Sequence, residues 1–473
     1  MTSENEGNEI TFGRSPPCEG ETSFKLPEKK IAPTCKRNKI LWPPKCTGMI
    51  TLDKPAFTKL IKIPTIILSE QYVNPIVIKK IVPFLLKVAG IKSIIDISSE
   101  ENDEKDGSAK MKKIYLNPEL FDNLTIPEFI SEKLQLDRGS VINYFYDDVK
   151  FKYENWTLQQ LIDSVIPDGE EKVASFSQMG HLVHVNLKEH IFPYKYVVGQ
   201  IILDKVNGAK TVVNKINNIE SKFRNFQMEV IAGESKTVVT VKENRCQFEF
   251  DFAKVYWNAR LSYEHDRLSK LLQAGDTLYD VFGGVGPFAL PAAKRKAEVL
   301  ANDLNPDCYT WLLHNVKKNK VDKLVQCFNQ DGNDFIKNVI SEDLKQKLEK
   351  SKNGDYIFEN RNLHVFMNLP AIAVDFLKSF WGILNEVDPN LKLLVHVHCF
   401  IKDISGYKEK AVTLVKDKLN YDLPQESITE VKFVRNVAPN KEMLCVSFAM
   451  PHHVLTSPYE SENPLKRKHS ETD

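Results

Sequence analysis

A glycine cluster between a predicted strand and a predicted helix carries the residue types that most directly indicate ligand binding. The stretch is TLYDVFGGVGPFALPAAK, residues 277–294. Gly284, Gly286 and Ala289 satisfy the pattern G-x-G-x-x-G/A, in which glycines let the backbone approach a phosphorylated or nucleoside ligand at the start of a helix. Asp303 follows near the position where an acidic residue grips a ribose hydroxyl. A nicotinamide-dinucleotide (NAD)-dependent oxidoreductase is therefore one candidate.

Three carboxylates help to distinguish the candidate ligands. Asp280 directly precedes the glycine loop, and a negative charge there repels a pyrophosphate and suits a cationic or neutral nucleoside. Asp303 and Asp331 close the second and third predicted strands, at the edge where open α/β sheets bind ligands. We expect Asp303 to bind a ribose and Asp331 an adenine edge. The alternative for both is an ordinary helix N-cap, in particular for Asp331 before NDFIKN.

An alternation of strands and helices from residue 256 onward predicts the sheet that positions these groups. Apolar runs such as TLYDVF, EVLANDL and LHVFMNL alternate with helical segments, which indicates a parallel sheet covered on both faces. The last two strands, TEVKFVRNV and MLCVSFAM, are joined only by APNKE, which is too short for a crossover, so they must be antiparallel. A mostly parallel sheet with a reversed final strand is the topology of S-adenosylmethionine-dependent methyltransferases. S-adenosyl-L-methionine is therefore the predicted cofactor.

The chain divides into segments of different composition. We predict an α/β fold in which a class I, Rossmann-like methyltransferase domain follows a β-rich α+β domain and a small N-terminal α/β domain. Runs such as HLVHVNL, YKYVVGQIILDKV and KTVVTVKE indicate short strands of a mostly antiparallel platform in the β-rich part. The predicted boundaries are a disordered tail at 1–45, the small N-terminal domain at 46–140, a linker at 141–171, the β-rich domain at 172–255, the methyltransferase domain at 256–455 and a disordered tail at 456–473.

The composition argues against several classes of protein. The 473 residues carry 64 basic and 63 acidic side chains, so RNA binding must come from local patches rather than from a global positive field. Eight cysteines are scattered without a CxxC pair, which predicts reduced thiols and no metal site. The sequence has no apolar run of membrane-spanning length, so we expect no membrane contact. The glutamate-rich amino terminus fits neither a secretory signal nor an acid-poor presequence.

Several linked blocks resemble one known family. DVFGGVGPFALPAA, ANDLNPDCYTWLLHNVKKNKV, VFMNLPAIAVDFL and VRNVAPNKEMLCVSF resemble, in order and spacing, the motifs of the eukaryotic and archaeal tRNA (guanine-N1)-methyltransferases, which modify guanine 37 next to the anticodon. FRNFQMEVIAGE and KVYWNARLSYEHDRL are similar to the same family. The resemblance implies a monomeric enzyme whose partners are the anticodon stem-loop and the body of a tRNA. It also implies that the small domain at 46–140 recognises tRNA and that the β-rich domain at 172–255 binds RNA.

Methylation of guanine N1 requires three functions, and three residues suit them. Guanine N1 carries a proton at neutral pH, so a base must remove it, a cation must stabilise O6 and a polar group must hold the base edge. Glu264 suits the base, Arg224 the O6 stabiliser and Asn368, at the end of the fourth strand, the edge reader. Arg224 and Glu264 could instead form a structural ion pair.

The resemblance also implies which residues surround the reacting groups. It makes Tyr256, Arg260 and Pro370 substrate-binding residues, with a core tyrosine and a solvated arginine as the alternatives for the first two. The Asn-Pro-Pro-like turn of related enzymes has a proline where this chain has Leu369. The predicted cofactor-binding residues are His265, Asp280, Gly284, Gly286, Asp303, Leu304, Asp331, Gly332 and Asn368.

Two further patterns carry expectations. His396 and His398 alternate along a strand and share one face, which favours a packed histidine pair over a metal site. The patches YKYVV, KFRNF and KVYWNAR interleave cations with aromatic residues, and together they mark a path for an anticodon stem-loop.

Three alternatives to guanine methylation stay open at this point. They are an aminocarboxypropyl transferase of wybutosine synthesis, which uses the same cofactor, the NAD-dependent oxidoreductase, and a catalytically silent tRNA-binding protein. The joint presence of Arg224, Glu264 and Asn368 favours methyl transfer. The resemblance implies the cytoplasm and nucleus, with the mitochondrial matrix as a further family compartment.

Overall fold

The computed structural model describes residues 40–97, 110–121, 141–169, 175–216, 227–402 and 405–459. Within these residues the strands form two four-stranded sheets, one two-stranded hairpin and one seven-stranded sheet. Arg224 and most of the two predicted tails lie outside the described residues. None of the helices described is both long and apolar enough to cross a membrane.

The first sheet is antiparallel and is built around one long strand. It consists of β1 (Lys59–Ser69), β2 (Ile94–Ile97), β3 (Met111–Tyr115) and β4 (Val141–Phe151), in the order β2-β3-β1-β4. The short helix α1 (Pro75–Ile81) begins at Asn74, whose side chain caps it by accepting from two backbone N–H groups.

Strand β4 occupies part of the segment that we predicted as a linker at 141–171. It pairs along nearly the whole of β1, from Lys59 opposite Phe151 to Leu68 opposite Val141. Helix α2 (Leu158–Val165) follows, and it shares one apolar core with β1 and with Phe151 at the end of β4. The described side chains of β4 are mostly exposed or half-buried, so the strand lacks the apolar alternation from which a buried strand is recognised.

The second four-stranded sheet, called the middle sheet below, has a helix between two of its strands where we predicted a strand. Strands β5 (Phe176–Met179), β6 (Leu182–Val185), β7 (Thr211–Ile216) and β8 (Gln227–Gly233) follow each other in space, and β6 and β7 are parallel. Parallel neighbours need a crossover, and helix α3 (Lys195–Lys205), within YKYVVGQIILDKV, provides it.

Helix α3 can be explained from its own residues. Val197, Val198, Ile201 and Ile202 are buried, and their spacing places them on one side of a helix. Gly199 permits close packing, because a Cβ atom there would lie 2.9 Å from the carbonyl oxygen of Ile231 on β8.

The seven-stranded sheet confirms the predicted Rossmann-like topology with its reversed final strand. Its order is β13-β12-β11-β14-β15-β17-β16, in which β11 to β15 are parallel and β17 is antiparallel to both β15 and β16. The strands are β11 (Thr277–Asp280), β12 (Glu298–Asn302), β13 (Val325–Phe328), β14 (Leu363–Met367), β15 (Leu393–Lys402), β16 (Ile428–Ala438) and β17 (Lys441–Ala449); β9 and β10 precede them in the chain and are given below.

Helices cover both faces of this sheet. They are α4 (Ser262–Ser269), α5 (Ala289–Lys294), α6 (Pro306–Lys318), α7 (Gly332–Asp334), a π-helical turn (Phe335–Ile340), α8 (Ser341–Lys352), a 3-10 helix (Ala373–Phe380), α9 (Tyr407–Leu419) and α10 (His452–Thr456).

The hairpin of β9 (Val238–Glu243) and β10 (Cys246–Asp251) lies in the segment that we assigned to the β-rich domain, yet it packs on the catalytic domain. Asn315 and Asn319 of α6 accept hydrogen bonds from the backbone N–H groups of β10, at 2.8 and 2.9 Å. These two buried amides therefore attach the hairpin to the seven-stranded domain.

One apolar core joins the middle sheet to the catalytic sheet. It includes Met179 and Val213 from the former and Leu278 and Phe366 from the latter. The shared core holds the middle sheet next to the glycine loop, and the space between them forms the candidate site.

Candidate active site

A cavity of about 710 Å³ lies between the middle sheet and the carboxyl ends of β11 to β14. Strand order reverses between β11 and β14, and open α/β sheets bind their ligands at such a point. Predicted residues on its wall are Tyr256, Arg260, His265, Gly284, Asp303, Leu304, Asp331, Gly332, Asn368 and Pro370. Glu264, Asp280 and Gly286 are described but are not on this wall.

The two predicted glycines of the loop have different functions. Gly284 has φ +55°, lines the cavity and donates its backbone N–H to Asp303 Oδ2 at 2.9 Å. Gly286 has φ +98°, and a Cβ atom there would lie 2.2 Å from Leu290 Cδ1. Gly286 therefore allows the loop to pack on α5, and we assign it no direct ligand contact.

The two carboxylates at the ends of β12 and β13 both reach the cavity. Asp303 Oδ1 accepts from the backbone N–H of Asn305, and burial raises the pKa of Asp303 despite this bond and that from Gly284. Asp331 caps α7 by accepting from the backbone N–H of Asn333. The N-cap alternative is thus realised for Asp331, and the same side chain lies at the cavity.

Gly332 lies next to Asp331 in a narrow part of the cavity, where a larger residue would contact two aromatic rings. A Cβ atom there would lie 2.9 to 3.0 Å from the rings of Phe282 and Phe376, which meet edge to face. The two rings form an apolar wall beside the carboxylate. An apolar surface with a polar group at its edge is suited to a planar heterocycle.

Asn368 presents an unsatisfied group at the end of β14. Its Oδ1 atom is buried and has no hydrogen-bond partner among the residues described. The following turn is held by a bond from the backbone N–H of Phe400 to the carbonyl oxygen of Pro370, at 3.2 Å. A buried acceptor without a partner carries a free-energy cost that a ligand donor can remove.

The segment before α4 places two of its predicted residues at the cavity. Tyr256 is 46% exposed, so it is not a core residue. Its hydroxyl accepts from Asn258 Nδ2 at 3.3 Å, and Asn258 also caps the turn that contains Arg260.

His265 lies on the cavity wall in a fixed orientation. Its Nδ1 atom lies 2.6 Å from Glu243 Oε1 on the hairpin, and its ring meets Phe288 edge to face. The carboxylate fixes the imidazole, so the hairpin contributes to the shape of the site.

Asp280 lies beneath the glycine loop instead of on the cavity wall. It is fully buried, and neither carboxylate oxygen accepts a well-formed hydrogen bond from the described residues; only the backbone N–H of Phe282 and the charge of His398 act to lower its pKa. Burial, together with the charge of Asp303, raises the pKa of Asp280 to about 8. A bound cation would lower this cost because it favours the ionised form.

Glu264 is buried in an ion-pair network behind the wall. Arg267 donates to both of its carboxylate oxygens, at 2.7 and 2.8 Å, and His398 Nε2 lies 2.9 Å from Oε1. Burial alone would raise the pKa of Glu264, but these two partners outweigh it and lower the pKa to about 2. Glu264 thus forms a structural ion pair with Arg267, and the predicted alternative of a pair with Arg224 is not tested because Arg224 lies outside the described residues.

Comparisons with known proteins decide the family. A model of the TRM5/TYW2 methyltransferase domain matches residues 237–423, and one of the TYW2 N-terminal domain matches residues 158–237. The chain is 42% identical over 433 residues to a tRNA (guanine(37)-N(1))-methyltransferase of Aedes aegypti, covering 91% of this chain and 72% of that protein. A protein of the same name from Xenopus tropicalis is 42% identical over 420 residues, covering 87% and 80%. The chain belongs to the tRNA (guanine(37)-N(1))-methyltransferase family.

Solved structures agree with this fold. Trm5b from Pyrococcus abyssi matches with a TM-score of 0.55 at 20% identity, covering 82% of this chain and 98% of the other. A structure described as the complex of aTrm5 and tRNALeu matches with the same TM-score and identity, covering 82% and 99%. The chain is thus an enzyme of a methyltransferase family, and the oxidoreductase alternative is not favoured.

Sequence reasoning missed part of this methyltransferase's cavity wall. Ser177, His184 and Lys215 reach it from the middle sheet, and Arg435 and Val437 reach it from β16. Burial, together with the charges of Lys215 and Arg260, lowers the pKa of His184 to about 4. Ser177, His184 and Lys215 occur singly on ordinary strands, so no local motif marks them. Arg435 and Val437 lie within the block VRNVAPNKEMLCVSF, which marked the family but not these two residues as part of the cavity wall.

The predicted histidine pair has two different environments. His396 contacts the ring of His364 and lies 2.8 Å from Ser447 Oγ, whereas His398 contacts Glu264. Glu264, His398 and Cys445 are close enough together to hold a metal ion. Arg267 already compensates the Glu264 carboxylate, so we propose no metal here.

Proposed function

We propose that this enzyme uses S-adenosyl-L-methionine to methylate N1 of guanine 37 in tRNA. The observation that carries the proposal is the cavity itself, which joins the ligand-binding edge of a methyltransferase sheet to a wall with basic residues from the middle sheet. The relatives named for this reaction match most of this chain.

Several residues fit the proposed cofactor. Gly284 allows backbone approach, Asp303 supplies a ribose acceptor, and Asp331 lies beside the apolar wall that suits adenine. When bound, the cofactor supplies an electrophilic methyl group on a cationic sulfonium. A positive charge nearby would favour the ionised form of the buried Asp280 carboxyl, whose pKa is about 8 without the ligand.

Asn368 is the proposed reader of the guanine edge. Its amide offers one acceptor and two donor hydrogens, and the acceptor has no partner among the described residues. Donors on the guanine edge would satisfy it. Arg224 remains the proposed stabiliser of the charge on O6, and its position is outside the described residues.

Glu264 is the proposed base, and the structure describes its resting state. The ionised carboxylate is ready to accept a proton, yet both oxygens are engaged and the pKa of about 2 makes it a weak base. We propose that guanine entry draws Glu264 away from Arg267. When Glu264 loses its two hydrogen bonds from Arg267, the pKa of the carboxylate rises toward its usual range. Its basicity therefore increases when the substrate is in place.

The RNA contacts form a further part of the proposal. Tyr256 offers an exposed ring for stacking an unpaired base, and Arg260 and Lys215 lie where the RNA backbone would follow it. We propose that Pro370 helps to hold the target base and that the first sheet contacts the tRNA body. We also propose that the enzyme acts as a monomer in the cytoplasm and nucleus, with the mitochondrial matrix as a further compartment.

The test uses two tRNA transcripts that differ only at position 37, with guanine or adenine. The full chain is incubated with cofactor labelled in the methyl group, and Glu264→Gln is assayed alongside. Label on the guanine transcript alone, largely lost in the variant, is the expected result. Label on neither transcript despite cofactor binding would contradict the proposal. Label transferred from a second cofactor sample, labelled in its aminocarboxypropyl carbons, would indicate aminocarboxypropyl transfer.

A further inference from the structure

Two buried histidines on β15 occupy the same face of one strand but have different partners. His396 bonds within the sheet, to His364 and Ser447. His398 is the one that faces α4, where its Nε2 atom meets Glu264. The pair therefore offers one histidine with a contact to the proposed base and one matched histidine without it.

The two oxygens of Glu264 are held unequally. Oε1 accepts from Arg267 Nη2 at 2.8 Å and from His398 Nε2 at 2.9 Å, whereas Oε2 accepts only from Arg267 Nε at 2.7 Å. Arg267 is itself drawn toward the partly exposed Glu430, to which Nη1 donates at 2.6 Å. If the two hydrogen bonds from Arg267 break, Oε1 still accepts from His398, whereas Oε2 has no remaining partner among the described residues.

His398 is well suited to remain in place. It is fully buried on a central strand, directly opposite Cys445 of β17, whose side chain also acts on it. The charged or titratable groups around it are Glu264 and Arg267 from α4, Asp280 from β11, Cys445 from β17 and His396 on its own strand. Burial opposes a charge on His398, but Cys445 and Glu264 outweigh it and raise the pKa of His398 to about 10.

We propose that His398 is the positioning residue of the base: it anchors Oε1 of Glu264 so that Oε2 turns to take the proton of guanine N1. The inference rests on the proposed function. The N1–H bond breaks and an Oε2–H bond forms. The electron pair left on N1 would bond to the methyl carbon, whose bond to the cofactor's sulfur would break with its electron pair going to the sulfur. A glutamate side chain has several rotatable bonds. Fixing one carboxylate oxygen of Glu264 keeps the other oxygen within reach of guanine N1.

The experiment compares matched variants of the two histidines in the full chain. His398→Leu removes the anchor, His398→Gln restores an N–H donor at nearly the same place, and His396→Leu and His396→Gln are the controls. Single-turnover methyl transfer to the guanine transcript is followed from about pH 5 to pH 9, together with the affinities for cofactor and tRNA.

We expect His398→Leu to lower the rate roughly 100-fold with little change in either affinity, and His398→Gln to recover most of it. The acid limb of the pH profile should move to higher pH in His398→Leu, because the carboxylate loses a donor that favours its ionised form. The His396 variants should keep the wild-type profile. Equal losses for both histidines, or no recovery with glutamine, would overturn the proposal.

A double-mutant cycle separates this inference from the proposed function. If His398 acts through Glu264, then His398→Leu adds little to the loss already caused by Glu264→Gln. A wild-type rate for Glu264→Gln would refute the base itself, whereas additive losses would refute only the anchor. Should the leucine variant fail to fold, histidine-labelled nitrogen spectra of the wild type and Glu264→Gln give the answer. One buried Nε2 signal must respond to Glu264→Gln, and the absence of any response would refute the contact.

Discussion

Replacing Asp280 with asparagine should stabilise the ligand-free enzyme at neutral pH. The carboxylate is fully buried and accepts no well-formed hydrogen bond from the described residues, and burial with the nearby charge of Asp303 raises its pKa from 3.8 to about 8. At pH 7 the group must therefore take up a proton on folding. For each pH unit between the ordinary pKa and the working pH, this proton uptake lowers the free energy of unfolding by about 1.4 kcal/mol, which gives roughly 4 kcal/mol at pH 7.

The sign of the pH dependence is fixed by the direction of this shift. Between pH 3.8 and about 8 the folded state binds a proton that the unfolded state has released, so the wild type loses stability as the pH rises. Asparagine cannot ionise, so Asp280→Asn removes this pH-dependent loss of stability. Its buried amide has no partners, however, and this lowers the gain in the free energy of unfolding by roughly 1 to 3 kcal/mol. We expect a net gain of about 2 kcal/mol at pH 7, and a rise in Tm of about 4 °C or more for a domain of this size.

The assay is thermal and urea unfolding of both forms between about pH 4 and pH 8. Asp276→Asn is the matched control, because Asp276 is also buried but accepts from two backbone N–H groups, those of Gln273 and Asn362, at 2.7 and 2.9 Å. That variant should lose stability. If Asp280→Asn also lowers the Tm, or if its difference from the wild type does not grow with pH, the reasoning about the uncompensated charge is wrong.

Three further predictions concern the loop, the cavity and the ion pair. Gly286→Ala should cost about 2 kcal/mol or more in urea unfolding, because of the positive φ and the clash with Leu290; unchanged stability would show that the loop adapts. Gly332→Ala pushes on Phe376 and should reduce the thermal shift caused by S-adenosylhomocysteine more than it reduces the Tm. Glu264→Gln should destabilise by about 3 to 5 kcal/mol at pH 7 because it removes the buried carboxylate that pairs with both Arg267 and His398. The lowered pKa of Glu264 places that contribution above pH 4.5 and removes it as the pH falls through about 2, so a deficit that persists unchanged in acid would contradict the account.

The catalytic sheet was predictable because its signals are local. Each parallel strand is a short apolar run followed by a helix, and APNKE is too short for anything except a reversed pair. The order of carboxylates along the chain then indicated which residues meet at one edge of the sheet, and Asp303, Asp331 and Asn368 do line one cavity.

Other features depend on tertiary contacts that no local pattern encodes. The β-branched residues of α3 suit a strand equally well, and only the parallel pairing of β6 and β7 requires a helix between them. The attachment of the hairpin depends on Asn315 and Asn319, which are far from it in sequence. The ion-pair network of Glu264 on α4 includes His398, which lies far away in sequence on β15.

The most direct test of the proposed function is the chemical identity of the modified nucleoside. The full chain, S-adenosyl-L-methionine and a guanine-37 transcript are incubated together, the RNA is digested, and the nucleosides are separated and identified by mass spectrometry. The account predicts N1-methylguanosine derived from position 37 alone, with formation of S-adenosylhomocysteine in equal amount. A methyl group on any other atom or position, or an aminocarboxypropyl adduct in its place, would contradict it.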